Sequence, residues 1–445
     1  MDAASTIFAL SSGLGRAGVA VVRISGPGAA LAVERVAGGL PQPRYAAFRR
    51  LKDSAGQIID EALVLWFPGP RSETGEDLAE FQVHGSRAVL AALFRTLGAL
   101  PGFRLAEPGE FARRAFGNGK LDLTAVEGLA DLIDAETEAQ RRQALDQAGG
   151  ALARLYDTWR AALIDAMALV EAGIDFSDEG DVGNAVVRDA RRSVDALVSA
   201  MRTHLNDAHR GEIVREGYRV VLAGPPNVGK SSLLNALARR DVAIVSEEPG
   251  TTRDVLEVRL DLRGLPVMVS DTAGLRDSAG QIEREGMRRT FERAAGANLV
   301  LWVVDAQDPK WNLPADLAGD GVTVLFIVNK CDVVRVDDGA DRGAAVRVSA
   351  RTGAGLAELT ELIAARAQDA VGEIGVTAVP TNARHRLLLS DAIAHLTRFC
   401  DGEPSALELQ AEDLRLAAHA LGRLTGRIDP EDVLGAVFGR FCIGK

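Results

Sequence analysis

The chain has 445 residues, of which 47% are hydrophobic and 25% charged, and its formal net charge is −11. That length exceeds one compact domain, and the composition is that of a folded globular protein, which excludes a disordered or fibrous chain. The acidic balance excludes wholesale electrostatic binding of nucleic acid, so any RNA contact must rest on local patches or on a partner's surface.

Residues 1–118 mix short apolar runs (TIFAL, VAVVRI, ALVLWF, AEFQVH) with Gly and Pro turns, the pattern of an α+β domain. GLGRAG (Gly13, Gly15, Gly18) with Glu34 downstream formally matches a dinucleotide fingerprint. It is followed by the strand-like VAVVRISG and not by a helix, so a hairpin turn is expected there. Glu80, Gln82 and His84 alternate with Phe81 and Val83 and share one strand face, a conceivable metal site but more often a solvated face. PGEFARRAFGNGKLDL is turn-rich and basic, and on its own reads as a surface loop.

No proline occurs between Pro108 and Pro225. In that span LTAVEGLADLIDAETEAQRRQALDQ and ARLYDTWRAALIDAMALVEAG read as long amphipathic helices, DFSDEGDVGNA as a loop, and RDARRSVDALVSAMRTHLND as a further helix. From Tyr218 the runs YRVVLAG, PVMVSD, NLVLWVVDA, TVLFIVNK and VRVSA alternate with helical segments, which predicts a parallel α/β sheet. After about residue 378 the chain reads as helical to the end. Its last helix, PEDVLGAVFGR, has Asp429 as N-cap and Pro430 at the first helical position. The α/β domain is therefore inserted into a helical one, with expected bounds 1–118, 119–215, 216–377 and 378–445.

No apolar run reaches the length that spans a bilayer, and MDAASTIFAL lacks the basic segment and apolar core of a secretory signal. Cys331, Cys400 and Cys442 are odd in number and far apart, which argues against a disulfide framework and for a reducing cytoplasm.

GPPNVGKS follows a strand and opens a helix, as a phosphate-binding loop requires. Asn227, Val228, Gly229, Lys230, Ser231 and Ser232 form its phosphate-facing part. Backbone N–H groups wrap the phosphates, Lys230 reaches the β- and γ-phosphates, and the Ser231 hydroxyl is a magnesium ligand. DTAG (Asp271, Thr272, Ala273, Gly274) ends a strand, with Asp271 toward magnesium and Gly274 toward the γ-phosphate. NKCD brings Asn329, Lys330 and Asp332. The Asp332 carboxylate accepts from guanine N1–H and its amine, a donor pair that adenine lacks. SAR adds Ser349 and Ala350, with a backbone N–H for guanine O6. Four such elements in order predict GTP and not ATP. In SEEPGTTRD, Thr252 or Thr251 closes over magnesium as the first switch.

Where many small GTPases carry a water-orienting Gln, this chain has Leu275. Glu283 and Glu285 in QIEREG are the alternatives, beside the bland reading of a solvated switch charge. With no arginine finger evident, a monovalent cation held by Asn227 and first-switch carbonyls is a candidate source of charge compensation.

With these residues together, the chain resembles the MnmE (TrmE) family of tRNA-modification GTPases. The likeness runs through GRAGVAVVRISG, TGEDLAEFQVHG, PGEFARRAFGNGKLDL, EAGIDF, GPPNVGKSSLLNAL, PGTTRDV, DTAGLR and the terminal FCIGK. The resemblance implies an N-terminal tetrahydrofolate-binding-like α+β domain, a split all-α domain, and an inserted Ras-like P-loop G domain of α/β type. It implies a homodimer through the N-terminal domains. It also implies a heterotetramer with an MnmG-like flavoprotein that carries FAD and uses NADH. Together they would add an aminomethyl-type group at C5 of the tRNA wobble uridine. The carbon would come from 5-formyl- or methylene-tetrahydrofolate, and GTP hydrolysis would be required. By motif, Ser231 and Thr252 would bind Mg²⁺. Asn227, Ser246, Glu248 and Thr251 would surround K⁺, Ser246 also lying in the GTP site. Glu283 would orient water. Arg23, Glu80, Lys120 and Lys445 would bind folate. Two departures from the family pattern fall near the folate region: Glu73 in place of an aromatic, and no Pro before the glycines of SSGLGRAG. A regulatory or ribosome-assembly GTPase without a chemical step on RNA is the competing class.

In FCIGK, Cys442 has three readings: a nucleophile toward a pyrimidine, a small buried hydrophobe, or, by the resemblance, part of a tail that reaches an N-terminal folate pocket. In the last, Phe441 and Ile443 anchor by burial and Gly444 permits the turn.

Overall fold

The computed structural model describes residues 5–13, 15–175, 180–244, 257–271, 296–314, 323–334, 346–372, 378–403, 406–428, 437–439, 441 and 443–444, with backbone alone over 180–184. The chain divides into two compact units. One comprises Met1–Ala130, Gln147–Arg191 and Arg398–Lys445, the other Asp131–Asp146 and Arg192–Thr397.

The first unit opens with β1 (Thr6–Leu10), β2 (Ala17–Ser25), α1 (Ala29–Ala37), β3 (Ala47–Lys52), β4 (Ile58–Phe67), β5 (Leu78–Gly85), α2 (Arg87–Gly98) and β6 (Phe103–Leu105). The strands form a sheet of order β3-β4-β5-β2-β1-β6. All neighbours are antiparallel except β1 and β6. Alternation puts Val22, Ile24, Val64, Phe81 and Val83 into one core with Ala32 and Val33 of α1 and Leu93 and Leu97 of α2. As expected, Gly13, Gly15 and Arg16 lie between antiparallel β1 and β2, with Ala17 and Gly18 opening β2, and not at a helix start.

PGEFARRAFGNGKLDL is not a surface loop. It contains α3 (Glu110–Gly117), which buries Glu110, Phe111, Ala112 and Ala115. Its charges are internal to a network. Glu110 accepts from Arg104 Nη1 at 2.8 Å and Nη2 at 2.5 Å, and from Arg114 Nη2 at 3.1 Å. Arg114 also donates to Glu76 Oε2 at 2.9 Å. Arg114, which looks solvated in sequence, is thus taken up by Glu110 and Glu76, while Lys120 stays exposed.

The run 123–147 is two helices, α4 (Leu123–Ile133) and α5 (Glu138–Ala148), where one was expected. The break has a local cause. Gln140 Oε1 accepts from the N–H groups of Glu136 at 3.0 Å and Thr137 at 3.1 Å, while Thr137 Oγ1 accepts from Gln140 N–H at 3.5 Å. That is a capping box, which starts a helix afresh. Next come α6 (Ala151–Asp175), α7 (Gly180–Asn206) and α8 (Ala208–Glu216). The loop expected at DFSDEGDVGNA is already helical from Gly180. Its glycines weaken a helix by about 1 kcal/mol each without forbidding it.

In the second unit, β7 (Tyr218–Ala223), α9 (Lys230–Ala238), β8 (Glu257–Leu262), β9 (Leu265–Asp271), β10 (Leu299–Asp305), β11 (Thr323–Asn329) and β12 (Val346–Arg347) precede α10 (Leu356–Val371). The sheet order is β12-β11-β10-β7-β9-β8. It is parallel except at β8, which runs antiparallel to β9. That strand corrects the all-parallel expectation. Its turn places Arg263 at φ 56° and Gly264 at φ 81°, two left-handed residues in a row, the geometry of a tight hairpin. Two further helices follow, α11 (Ala383–Asp401) and α12 (Leu407–Thr425). Asp429, Pro430 and most of the last expected helix lie outside the described residues.

No described helix is long and apolar enough to cross a membrane.

Candidate functional site

The loop of GPPNVGKS joins β7 to α9. Gly224 has φ 139°, and a Cβ there would stand 2.3 Å from the Val303 carbonyl oxygen of β10. Gly229 has φ 95°, and a Cβ would meet Asn329 Nδ2 at 2.4 Å. Only glycine fits either position. Lys230 opens α9 and is 7% exposed. Its ammonium donates to the carbonyls of Gly224 at 2.9 Å and Pro225 at 2.8 Å. Burial lowers its pKa below the usual lysine value, and the nearby Asp271 charge partly offsets that. A buried ammonium already folded over the loop is placed to meet an anion there.

Ser231 Oγ donates to Asp271 Oδ2 at 2.5 Å. Asp271 is 1% exposed at the end of β9, which is paired in register with β7. A hydroxyl and a carboxylate of hard oxygen donors fit the preferences of Mg²⁺.

Asn329, at the end of β11, is 2% exposed. Its Nδ2 donates to Val228 O at 2.9 Å, and its Oδ1 accepts from Ala350 N–H at 3.1 Å. It thereby ties the phosphate loop to SAR, and it occupies the Ala350 N–H, one of the SAR backbone donors. Lys330, at φ 65°, donates to Asn227 O at 2.9 Å and to Asp305 Oδ2 at 2.6 Å. Asp332 accepts from Ser349 Oγ at 2.6 Å and pairs with Arg351 at 2.8 Å. The Ser349 hydroxyl, then Arg351, hold its carboxyl below the usual range. Asp332 is thus ionised and acceptor-only, as recognition of guanine's two donors demands.

Asn227, Val228, Gly229, Lys230, Ser231, Asp271, Asn329, Lys330, Asp332, Ser349 and Ala350 therefore converge at the carboxyl ends of β7, β9, β10 and β11, with exposed Ser232 on the first turn of α9. Ser246, Glu248, Thr251, Thr252, Thr272, Ala273, Gly274, Glu283, Glu285, Cys442 and Lys445 lie outside the described residues. Sequence reasoning missed Asp305 and the pairing of Arg351. An Asp closing the apolar strand LVLWVVD is the signal that marks the first.

In the other unit, Arg23 and Glu80 face each other across β2 and β5. Arg23 reaches Glu80 Oε1 at 3.0 Å and Glu73 Oε2 at 2.9 Å, with its guanidinium 5.8 Å from the Phe111 ring centroid. Glu73, a departure from the family pattern, is thus part of this pair's surroundings. Lys120 follows α3, its N–H on Ala115 O at 2.8 Å. His84 pairs with Asp60 (Nδ1 to Oδ1, 2.8 Å), and among the described residues no cluster of His, Cys, Asp and Glu is arranged to hold a metal.

The end of the chain is seated on the N-terminal sheet. Phe441 is 6% exposed and packs with Phe438, Ala112, Leu123 and Val126. Ile443 bridges Pro108, and Ser11 Oγ donates to Gly444 O at 2.7 Å. Gly444 has φ 104°, and a Cβ would stand 1.9 Å from Leu10 O, so glycine is required. Ile443 is 57% exposed and is not a buried anchor. The backbone bridge, not its side chain, makes the contact.

The Glu110 network under this tail sets an expectation. Burial alone would raise the Glu110 pKa, but Arg104 above all brings it down to about 2. The folded value is depressed, so the stability it contributes is complete above about pH 4.5 and is lost as pH falls toward 2. Glu110→Gln, which takes the carboxylate from Arg104 and leaves Arg114 with Glu76 alone, should lower unfolding free energy by about 3 kcal/mol at neutral pH. It should also flatten the acid limb of the stability curve. Urea unfolding across pH checks both.

The family profile described as "MnmE helical domain" matches residues 123–442, and that described as "GTP-binding protein TrmE N-terminus" matches residues 6–120. A protein of Rhodopseudomonas palustris named tRNA modification GTPase MnmE is 51% identical over 443 residues, covering 99% of both chains. One of the same name from Beijerinckia indica is 52% identical over 444 residues, covering 99% of this chain and 96% of that one. Among solved structures, the G domain of the T. maritima FeoB iron transporter is 30% identical, with a TM-score of 0.27, covering 34% of this chain and 98% of that chain.

Proposed function

Because the chain belongs to the MnmE family of tRNA modification GTPases, we propose that it hydrolyses GTP as part of tRNA modification, the target being the wobble uridine. The identity over nearly the whole length carries this reading. It includes the N-terminal sheet and the terminal tail, neither of which a bare GTP-driven switch needs, and so it favours a modifying enzyme over a ribosome-assembly factor.

In this reading Lys230 and the N–H groups of the loop hold the phosphates, and Asp332 selects guanine. Ser231 and Thr252 would hold Mg²⁺, with Asp271 bonded to Ser231, and the ion would supply charge neutralisation at the phosphates. Asn227, Ser246, Glu248 and Thr251 hold K⁺ in place of an arginine finger. Glu283 orients the attacking water, the task Leu275 cannot perform. Arg23, Glu80, Lys120 and Lys445 bind the tetrahydrofolate donor, 5-formyl or methylene. The Glu80 carboxylate takes the pterin's donors after exchanging its present bond to Arg23. Cys442 stands as the tail's nucleophile candidate. The partners are an MnmG-like flavoprotein with FAD and NADH, the tRNA, and a second copy of the chain. An exposed sheet face supports self-association. Helices α1 and α2 pack with the buried side of the sheet, while Val19 (58%), Phe48 (61%) and Leu63 (40%) remain exposed.

The test is the salt dependence of the reaction. GTP turnover should be faster in potassium than in sodium at matched ionic strength, and Asn227→Ala should abolish the difference. Equal rates in both salts remove the cation from the mechanism. Absence of turnover in either salt removes the GTPase reading.

A further inference from the structure

The N-terminal sheet carries a cavity of about 900 Å³, lined in part by Leu10, Arg16, Ala17, His84, Arg87 and Leu90. Its wall runs from Leu10, which is opposite Val22 and so one residue along β2 from Arg23, to Ala17, which is opposite Gly85.

The cavity's chemistry is specific. Its walls are Leu10, Ala17, Leu90 and the backbone of three glycines, while Arg16 and Arg87 are exposed at it. In a chain of net charge −11, two arginines at one apolar cavity suit a ligand with an apolar body and more than one anionic group. His84 spends Nδ1 on Asp60, so Nε2 is its remaining polar atom. Ser86 Oγ accepts from the Val89 N–H at 3.2 Å. The terminal tail reaches the same place. Gly444 lies against the carbonyl of Leu10, a residue of the cavity wall.

We propose that this cavity receives one extruded nucleotide of an RNA strand, with its base against the apolar wall and its flanking phosphates on Arg16 and Arg87. The proposal rests on the tRNA-modification reading and adds where on this chain the strand is held. Chemistry on a base requires that the base leave its stack and enter a pocket. A nucleotide within a strand carries two phosphates beside one base, and the cavity offers two cations beside one apolar wall.

Full-length protein titrated into a fluorescein-labelled anticodon stem-loop, followed by anisotropy, tests this. The double variant Arg16→Ala, Arg87→Ala should bind about tenfold more weakly near 0.1 M salt. Its slope of log K against log salt should shrink by about 1.4, two phosphates at about 0.7 each. Leu90→Trp, which fills the cavity, should reduce affinity for the uridine-containing loop to that for a loop with an abasic wobble position. It should leave the abasic affinity unchanged. Folate binding and GTP turnover should stay at wild-type levels in both. Unchanged RNA affinity in the variants, with the wild type binding well, overturns the proposal and leaves the tRNA reading intact. Loss of folate binding with RNA affinity intact makes the cavity a folate site and also overturns it. A wild-type chain that binds no stem-loop removes the tRNA reading together with this one.

Discussion

Asp332→Asn should lower affinity for GTP by about two orders of magnitude and raise affinity for XTP. The Asp332 carboxylate is fixed by Ser349 Oγ at 2.6 Å and held below the usual carboxylate pKa range, so it offers guanine only acceptors. Asn places an N–H₂ group against guanine's N1–H and amine, which replaces two charge-assisted bonds with one neutral bond and one donor–donor clash. At about 1.5 kcal/mol or more per charge-assisted bond, the loss approaches 3 kcal/mol, or about a hundredfold. Xanthine presents a carbonyl where guanine has its amine, so the Asn amide regains a partner. Competition binding with GTP, XTP and ATP reads the result. A variant that weakens all three equally would show that Asp332 holds the loop together and does not read the base.

Deleting residues 442–445 should abolish tRNA modification while changing GTP turnover less than about twofold, since it removes no group proposed to touch the phosphates. Gly444→Val is the sharper variant. Its Cβ would stand 1.9 Å from Leu10 O at φ 104°, so a side chain there expels the tail without shortening the chain. Modified-nucleoside profiles of a deletion strain carrying each variant give the answer, with Cys442→Ser isolating the thiol. Full modification by the truncated protein would reduce the tail to packing.

Much of the nucleotide site is legible in the chain because its parts are local. Gly224 to Ser231 form a strand–loop–helix whose spacing alone sets the backbone path, and Asn329 to Asp332 end a strand at a fixed offset. The sequence by itself determined the GTP-type loops and the turn before β2, since each depends on residues within a few positions. Periodicity misread the rest where a short polar signal outweighs it. The Thr137–Gln140 capping box splits an apparently continuous helix, and the Arg263–Gly264 turn adds an antiparallel strand.

Tertiary structure alone decided the fate of the charges and of the tail. Glu110, Arg104, Arg114 and Glu76 look solvated until three separate segments fold together, pair them and bury Glu110. Gly444 contacts Leu10 and Ser11 across 433 residues of chain. No periodicity encodes such a pairing. It exists only because burial of Phe441 against α4 and the close approach of Gly109 to Phe438 fix where the chain end can lie, and those are properties of packing, not of spacing.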